Sequence, residues 1–160
     1  MKVLVISDSH GKNRLMEQVI EKETGLDRII HLGDLEGAED FLEAIAPCPV
    51  EMVCGNNDFF TPYPKEKIVE MCGHRIFICH GHYYCVSMGI DRIAAAAKQR
   101  GCDMVMFGHT HCPEIETVGD VMVVNPGSIS YPRQENHKPS YIIMEMDEKG
   151  TVGFSLRFAD

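Results

Sequence analysis

The sequence predicts an α/β protein in which two β-sheets stack face to face with helices outside. Two observations predict it: short β-branched apolar runs alternate with amphipathic segments over the first two thirds of the chain, and hairpin signals dominate the last third. A third links fold to chemistry. Five polar motifs each follow the end of an apolar run: Asp8-Ser9-His10, Gly33-Asp34, Gly55-Asn56-Asn57-Asp58, His80-Gly81-His82 and Gly108-His109-Thr110-His111. Strand ends are where an open α/β sheet places its ligands.

The elements follow in order. Val3 to Ile6 is continuously apolar, as suits a strand buried on both faces. Leu15, Met16, Val19 and Ile20 recur at helical spacing and Gly25 can stop that helix. Arg28 to Leu32 repeats the strand, and Ala38, Phe41, Leu42 and Ile45 mark a second helix face. Val50 to Cys54 is a third strand, so the alternation argues for parallel βαβ pairing. The prolines of Phe59 to Pro64 make a loop beside the ligand rim. Lys67 to Met71 and Arg75 to Cys79 form a hairpin around Cys72-Gly73-His74, and Met88 to Arg100 is a third helix capped by Gly101. Met104 to Phe107 is the next strand. Two hairpins close the chain: Glu114 to Val118 with Val121 to Val124, and Tyr141 to Met146 with Thr151 to Phe158.

The 160 residues are expected to form one domain over 1–160, able to bury about 70% of the unfolded chain's surface. A net charge of −9 with no Lys/Arg cluster argues against long nucleic acids as partners. Apolar runs too short to span a bilayer and a first strand directly after Met1-Lys2 imply a cytoplasmic protein that does not engage membranes. Seven cysteines without a C-x-x-C pair suit neither a disulfide framework nor a zinc ribbon; Cys112, next to a candidate ligand, is the one placed to react.

Taken singly, Asp8, His10 or Asp34 could serve as a cap or a turn. Their conjunction at successive strand ends points to a metal site, because carboxylate, imidazole and amide oxygen are the donors of a hydrolytic two-metal centre. His31, inside an apolar strand, reads as a hydrogen-bonded core imidazole, while His74 and His137 fall in a turn and a polar loop.

The order Asp-x-His, Gly-Asp, Gly-Asn-x-Asp, His and Gly-His-x-His, from Asp8 to His111, resembles the calcineurin-like metallophosphoesterases. Asn125-Pro126-Gly127-Ser128 is similar to a segment of their small bacterial and archaeal phosphodiesterase branch. The resemblance implies a four-layer α/β/β/α sandwich of two mixed sheets and two divalent ions, Mn²⁺ foremost, with Ni²⁺, Fe²⁺ or Zn²⁺ as alternatives. It implies Asp8, His10, Asp34 and His111 around one ion and Asp34, Asn56, His80 and His109 around the other, with Asp34 bridging. The implied activity is hydrolysis of small phosphodiesters by a metal-bridging hydroxide. Phosphomonoester or nucleotide hydrolysis is the alternative within enzymes. A non-catalytic interaction scaffold, like the retromer subunit of this fold, is the alternative outside them. A homo-oligomer is compatible with all three.

One position departs from the family pattern: Asn57 stands where the family usually has histidine, and an amide cannot act as a general acid, a contribution typically worth about 10²–10⁴ in rate. Asn57, Asp58 and His82 are therefore the expected catalytic residues beyond the metal ligands, with Asp58 holding the loop or orienting Asn57. Asn57, His82 and Arg133 are the expected substrate contacts. His80 is preferred to His82 as ligand because Ile76 to Cys79 deliver it at the strand end.

Overall fold

The computed structural model describes residues 1–159. Ten strands form two five-stranded mixed sheets. The first has the order β10-β9-β1-β2-β3, built from β1 (Lys2–Ile6), β2 (Arg28–His31), β3 (Val50–Met52), β9 (Ser140–Met146) and β10 (Val152–Phe158). The second has the order β4-β5-β6-β8-β7, built from β4 (Glu66–Met71), β5 (His74–Cys79), β6 (Met104–Met106), β7 (Pro113–Val118) and β8 (Val121–Pro126). In each sheet three parallel strands are joined by antiparallel ones: β1, β2 and β3 with β9 and β10, and β5, β6 and β8 with β4 and β7.

Three apolar clusters define four layers. Val3 and Val5 of β1 face Ile76, Ile78, Met104 and Met106 between the sheets. Leu4 and Ile6, one residue out of phase, face Met16, Val19 and Ile20 of α1 (Asn13–Lys22) and Leu42 of α2 (Glu39–Ile45). On the far side Phe77, Val105 and Phe107 pack against Ile93, Ala94 and Ala97 of α3 (Asp91–Gln99). The four-layer α/β/β/α sandwich expected from the resemblance is therefore the fold, and the two-residue period of a strand explains why β1 has no polar face. Each fully buried side chain of this kind stabilises by about 1.5–3 kcal/mol.

Two expectations need correction. The third helix does not start at Met88: two 3₁₀ turns, His82–Tyr84 and Val86–Met88, precede it, and it begins at Asp91. Cys85 at φ 53° and Gly89 at φ 140° are incompatible with a continuous right-handed helix, so the helix nucleates only beyond them. The third strand ends at Met52, although Val53 N–H still donates to the His31 carbonyl, because Cys54 N–H turns away to the Pro64 carbonyl. That turn carries the chain from the first sheet to the second across the rim where the motif loops meet.

Candidate metal centre

Backbone geometry separates the motif residues from ordinary loop residues. Asp8, His10, Asp34, His109 and His111, five of the seven nominated ligands, have left-handed φ between 47° and 68°. Non-glycine residues in this region carry strain and persist only where the surroundings over-determine them, commonly at functional sites. The adjoining glycines are required by close approach. A Cβ on Gly55 would lie 2.1 Å from Asp34 Oδ1, and one on Gly108 would lie 2.0 Å from Ser7 Oγ and 2.7 Å from Asp8 Oδ2.

The loops are tied to each other by backbone. Asp8 N–H donates to the Gly33 carbonyl, His10 N–H to the Asp34 carbonyl and Gly108 N–H to the His80 carbonyl. Asp8 Oδ2 accepts the His109 N–H at 3.1 Å, which joins the first sheet's loop to the second's. Ser128 Oγ and Ser130 Oγ reach the Asp8 carbonyl at 2.8 and 2.9 Å, and the Asn125 amide donates to the Gly108 carbonyl at 2.9 Å. The segment from Asn125 thus buttresses the site from behind.

Three imidazoles spend Nδ1 on an acceptor outside the centre: His10 on Glu36 Oε1 at 2.7 Å, His80 on the Leu32 carbonyl at 2.8 Å and His111 on the Tyr131 carbonyl at 2.7 Å. These partners place the proton on Nδ1 of each neutral ring and leave the Nε2 lone pairs pointing inward. There they meet other acceptors. His10 Nε2 stands 3.2 Å from His111 Nε2, His111 Nε2 stands 3.2 Å from Asp8 Oδ1, and His80 Nε2 stands 3.5 Å from Asp34 Oδ2. Asn56 Oδ1 lies 3.1 Å from His80 Nε2 and 3.0 Å from His109 Nδ1.

Lone pairs converging in a buried space repel unless a cation lies among them, and Asp8 Oδ1 is buried without a hydrogen-bond partner. Burial by itself would lift the Asp8 and Asp34 carboxyls. Contacts with His111 and His80 for Asp8, and with His80 and Asn57 for Asp34, hold both below the ordinary carboxylate range. Burial opposes charge on His80, yet Asp34 and Asp8 raise its pKa, so the centre favours positive charge. The donor set therefore fits divalent cations.

Asp8, His10 and His111 form one group with ligand atoms within 4.8 Å of one another, and Asp8, Asp34 and His80 form another. Asp8 belongs to both groups. Asp34 Oδ2, at 3.8 Å from His10 Nε2 and 3.5 Å from His80 Nε2, also stands between them, so both carboxylates occupy the middle of the constellation.

The remaining nominees lie around this centre in different ways. Asn57 turns inward: its Nδ2 donates to Asp34 Oδ2 at 2.7 Å and its N–H to Asp34 Oδ1 at 2.9 Å. Asp58 does not touch Asn57's amide or enter the centre; its carboxylate accepts the N–H groups of Asp34, Gly55 and Glu36, each at 2.7 Å. His82 stacks on Tyr83 at 4.1 Å between ring centroids, with His80 and His109 at 5.4 and 6.0 Å. Burial and then His80 and His109 push it down to about 4, which keeps it neutral. Arg133 is exposed on the wall of a cavity shared with His10, Glu36, His111, Tyr131 and Pro132. His31 bridges Ser9 Oγ and Gly33 N–H as a fully buried imidazole, pushed down to about 4 mainly by burial, in keeping with its core reading.

Sequence reasoning missed Glu36, which reads as a surface acid, and the carbonyls of Leu32 and Tyr131, which have no side-chain signature. The closeness of Glu36 to Gly33-Asp34 was the only available cue.

Residues 1–149 match the calcineurin-like phosphoesterase superfamily domain. A probable metallophosphoesterase of Bacillus subtilis, YsnB, is 31% identical over 157 residues, 96% of this chain and 90% of the relative. The phosphodiesterase YfcE of Escherichia coli K12 is 29% identical over 180 residues, 97% of this chain and 93% of the relative. The fold is also that of wild-type Vps29 from Entamoeba histolytica complexed with Zn²⁺, with a TM-score of 0.77, 24% identity and 99% of each chain covered.

Proposed function

The chain belongs to the calcineurin-like phosphoesterase superfamily and is a phosphoric ester hydrolase, and on that premise we propose that it is a dinuclear, divalent-metal-dependent phosphodiesterase acting on small phosphodiesters. The observation that carries the reading is the buried Asp8 Oδ1, which has no hydrogen-bond donor and faces inward imidazole nitrogens, an arrangement that divalent cations would complete. Asp8, His10, Asp34 and His111 would hold one ion and Asp34, Asn56, His80 and His109 the other, with Mn²⁺ the first choice for mixed N/O donors. When bound, such ions polarise phosphoryl oxygens and make a water acidic enough to attack phosphorus.

The chain's own residues set the geometry of that chemistry. Glu36 and the Leu32 and Tyr131 carbonyls fix three imidazoles in the ligating tautomer. Asn57 holds both oxygens of Asp34, leaving each oxygen a lone pair for a cation. Neither Asn57, an amide, nor His82, a neutral imidazole, is suited to protonate a leaving oxygen, which supports a preference for substituents that depart as stable anions. The unpaired state of all seven cysteines suits a reducing, cytoplasmic setting.

The likeness to Vps29 concerns the fold, and that Vps29 is complexed with Zn²⁺, so a non-catalytic scaffold is the second reading and hydrolysis is what separates the two. The test is metal analysis of the purified protein, followed by hydrolysis of aryl diesters, alkyl diesters, cyclic nucleotides and aryl monoesters with Mn²⁺ added. The expected result is two ions per chain and aryl diesters cleaved fastest. Hydrolysis unchanged in Asp34→Asn or His109→Ala, or monoesters cleaved faster than diesters, would overturn it.

A further inference from the structure

A cavity of about 430 Å³ opens directly beside the centre, lined by His10, Glu36, His111, Tyr131, Pro132 and Arg133. A diester whose phosphate met those imidazoles would extend a substituent into it. The segment from Tyr131 to Arg133 is held in place. The Tyr131 carbonyl accepts His111 Nδ1 at 2.7 Å, Arg133 N–H donates to the His111 carbonyl at 3.1 Å, and Pro132 between them has restricted φ. Tyr131 stands edge-on to His10 at 5.3 Å, and Lys12 Nζ lies 3.7 Å over its ring.

Basic groups gather at this wall. The protein carries 24 acidic and 15 basic residues, yet Lys12 and Arg133 make no ion pair among the described residues. The one carboxylate lining the cavity, Glu36, is engaged by His10. Arg133 on the wall of the cavity, and Lys12 over the ring of the lining Tyr131, are two exposed cations that meet the requirement for recognising an anion attached to a carbon framework.

We infer that this cavity is a specificity site for the substituent of the diester that carries an additional negative charge, a carboxylate or second phosphate, which Arg133 and Lys12 recognise while Tyr131 and Pro132 cover its carbon skeleton. This rests on the phosphodiesterase reading for its kinetic test but not for its binding test. Ethyl and 2-carboxyethyl p-nitrophenyl phosphate share a leaving group and differ by one carboxylate. With Mn²⁺-loaded protein, kcat/KM is expected to favour the carboxyethyl ester by about tenfold, the sum of two solvent-exposed charge contacts. The preference is expected to fall to about one in the Lys12→Met/Arg133→Met double variant. Calorimetric titration with the unreactive diethyl and 2-carboxyethyl ethyl phosphates should give the same preference in affinity. If neither ester is hydrolysed, the phosphodiesterase reading fails and calorimetry decides the cavity alone. Equal kcat/KM and equal affinity in the wild type, or a preference that survives in the double variant, overturns the inference.

Discussion

Asp58 offers the sharpest test of how the centre is built, because the structure gives its carboxylate a positioning role. Its Oδ2 accepts from Asp34 N–H and Gly55 N–H and its Oδ1 from Glu36 N–H, so one side chain fastens the loop after β2 to the loop after β3. Asp58→Asn keeps the shape but replaces one acceptor by a donor. The Asn oxygen can retain the two part-buried bonds as neutral ones, and its amide must then face the Glu36 N–H. Charge-assisted bonds contribute about 1.5–3 kcal/mol and neutral ones about 0.5–1.5 kcal/mol, so two weakened bonds and one lost exposed bond together cost about 2–4 kcal/mol. For a chain of this size that lowers Tm by about 5–12 °C. The assay is thermal unfolding in excess chelator, where metal binding cannot offset the loss, followed by calorimetric metal titration, in which affinity falls by about 10–100-fold as Asp34 and Asn56 lose their fixed separation. An Asp58→Asn protein that melts with the wild type and binds metal normally, but turns over slowly, would refute the positioning role and return Asp58 to the catalytic set.

Two further predictions concern parts of the fold away from the centre. The Gly150 carbonyl and then Asp103, bonded at 2.7 and 2.6 Å, raise the His74 pKa above its ordinary value against the effect of burial. A raised folded-state pKa stabilises fully below the unfolded value of 6.5 and loses that contribution as pH climbs through the folded value. The gap in Tm between wild type and His74→Gln is therefore largest near about pH 5.5 and shrinks by about pH 8.5; a gap that widens with pH contradicts the ion pair. Glu23, 4% exposed, accepts from Arg157 at 2.7 Å and Tyr141 at 2.9 Å and pairs with Lys2 at 3.0 Å. Because Arg157 is 42% exposed, Glu23→Gln should cost about 2 kcal/mol in denaturant unfolding, below the range for a fully buried pair, and an unchanged midpoint would show the cluster to be neutral.

The fold was legible because buried parallel strands leave a strong one-dimensional trace. Val3 to Ile6 and Met104 to Phe107 are apolar on both faces, and only a sheet covered on both sides tolerates that. The start of α3 was not legible, since the apolar spacing of Ile90, Ile93 and Ala97 runs back into Met88 while the interruption is a matter of dihedral angles at Cys85 and Gly89. The same division holds at the centre. Side chains that could ligate were visible as motifs, but the groups that orient them are mostly backbone carbonyls, brought near by pairing between segments distant in the chain: His80 meets Leu32 across 48 positions. Periodicity carries no information about such contacts.

Asn57 lies where the motif predicts, and the structure adds contacts that the motif does not show. Read from the sequence, it faces substrate as a weak replacement for an acid. In the structure its two donors close on Asp34, one to each carboxylate oxygen, and help to keep that carboxyl ionised. The amide that lacks an acid's proton thereby gains a different use, because its Nδ2 adds a second donor to the one the backbone N–H supplies, so that each Asp34 oxygen is held. The consequence for reactivity runs through the leaving group. Under the proposed phosphodiesterase reading, with Asn57 committed to Asp34 and His82 held neutral, neither is poised to deliver a proton, and the barrier would fall on the stability of the departing oxyanion. Orientation of Asp34 comes from Asn57, whereas the lack of a proton donor involves Asn57 and His82 together, and both support the proposed bias toward aryl over alkyl diesters.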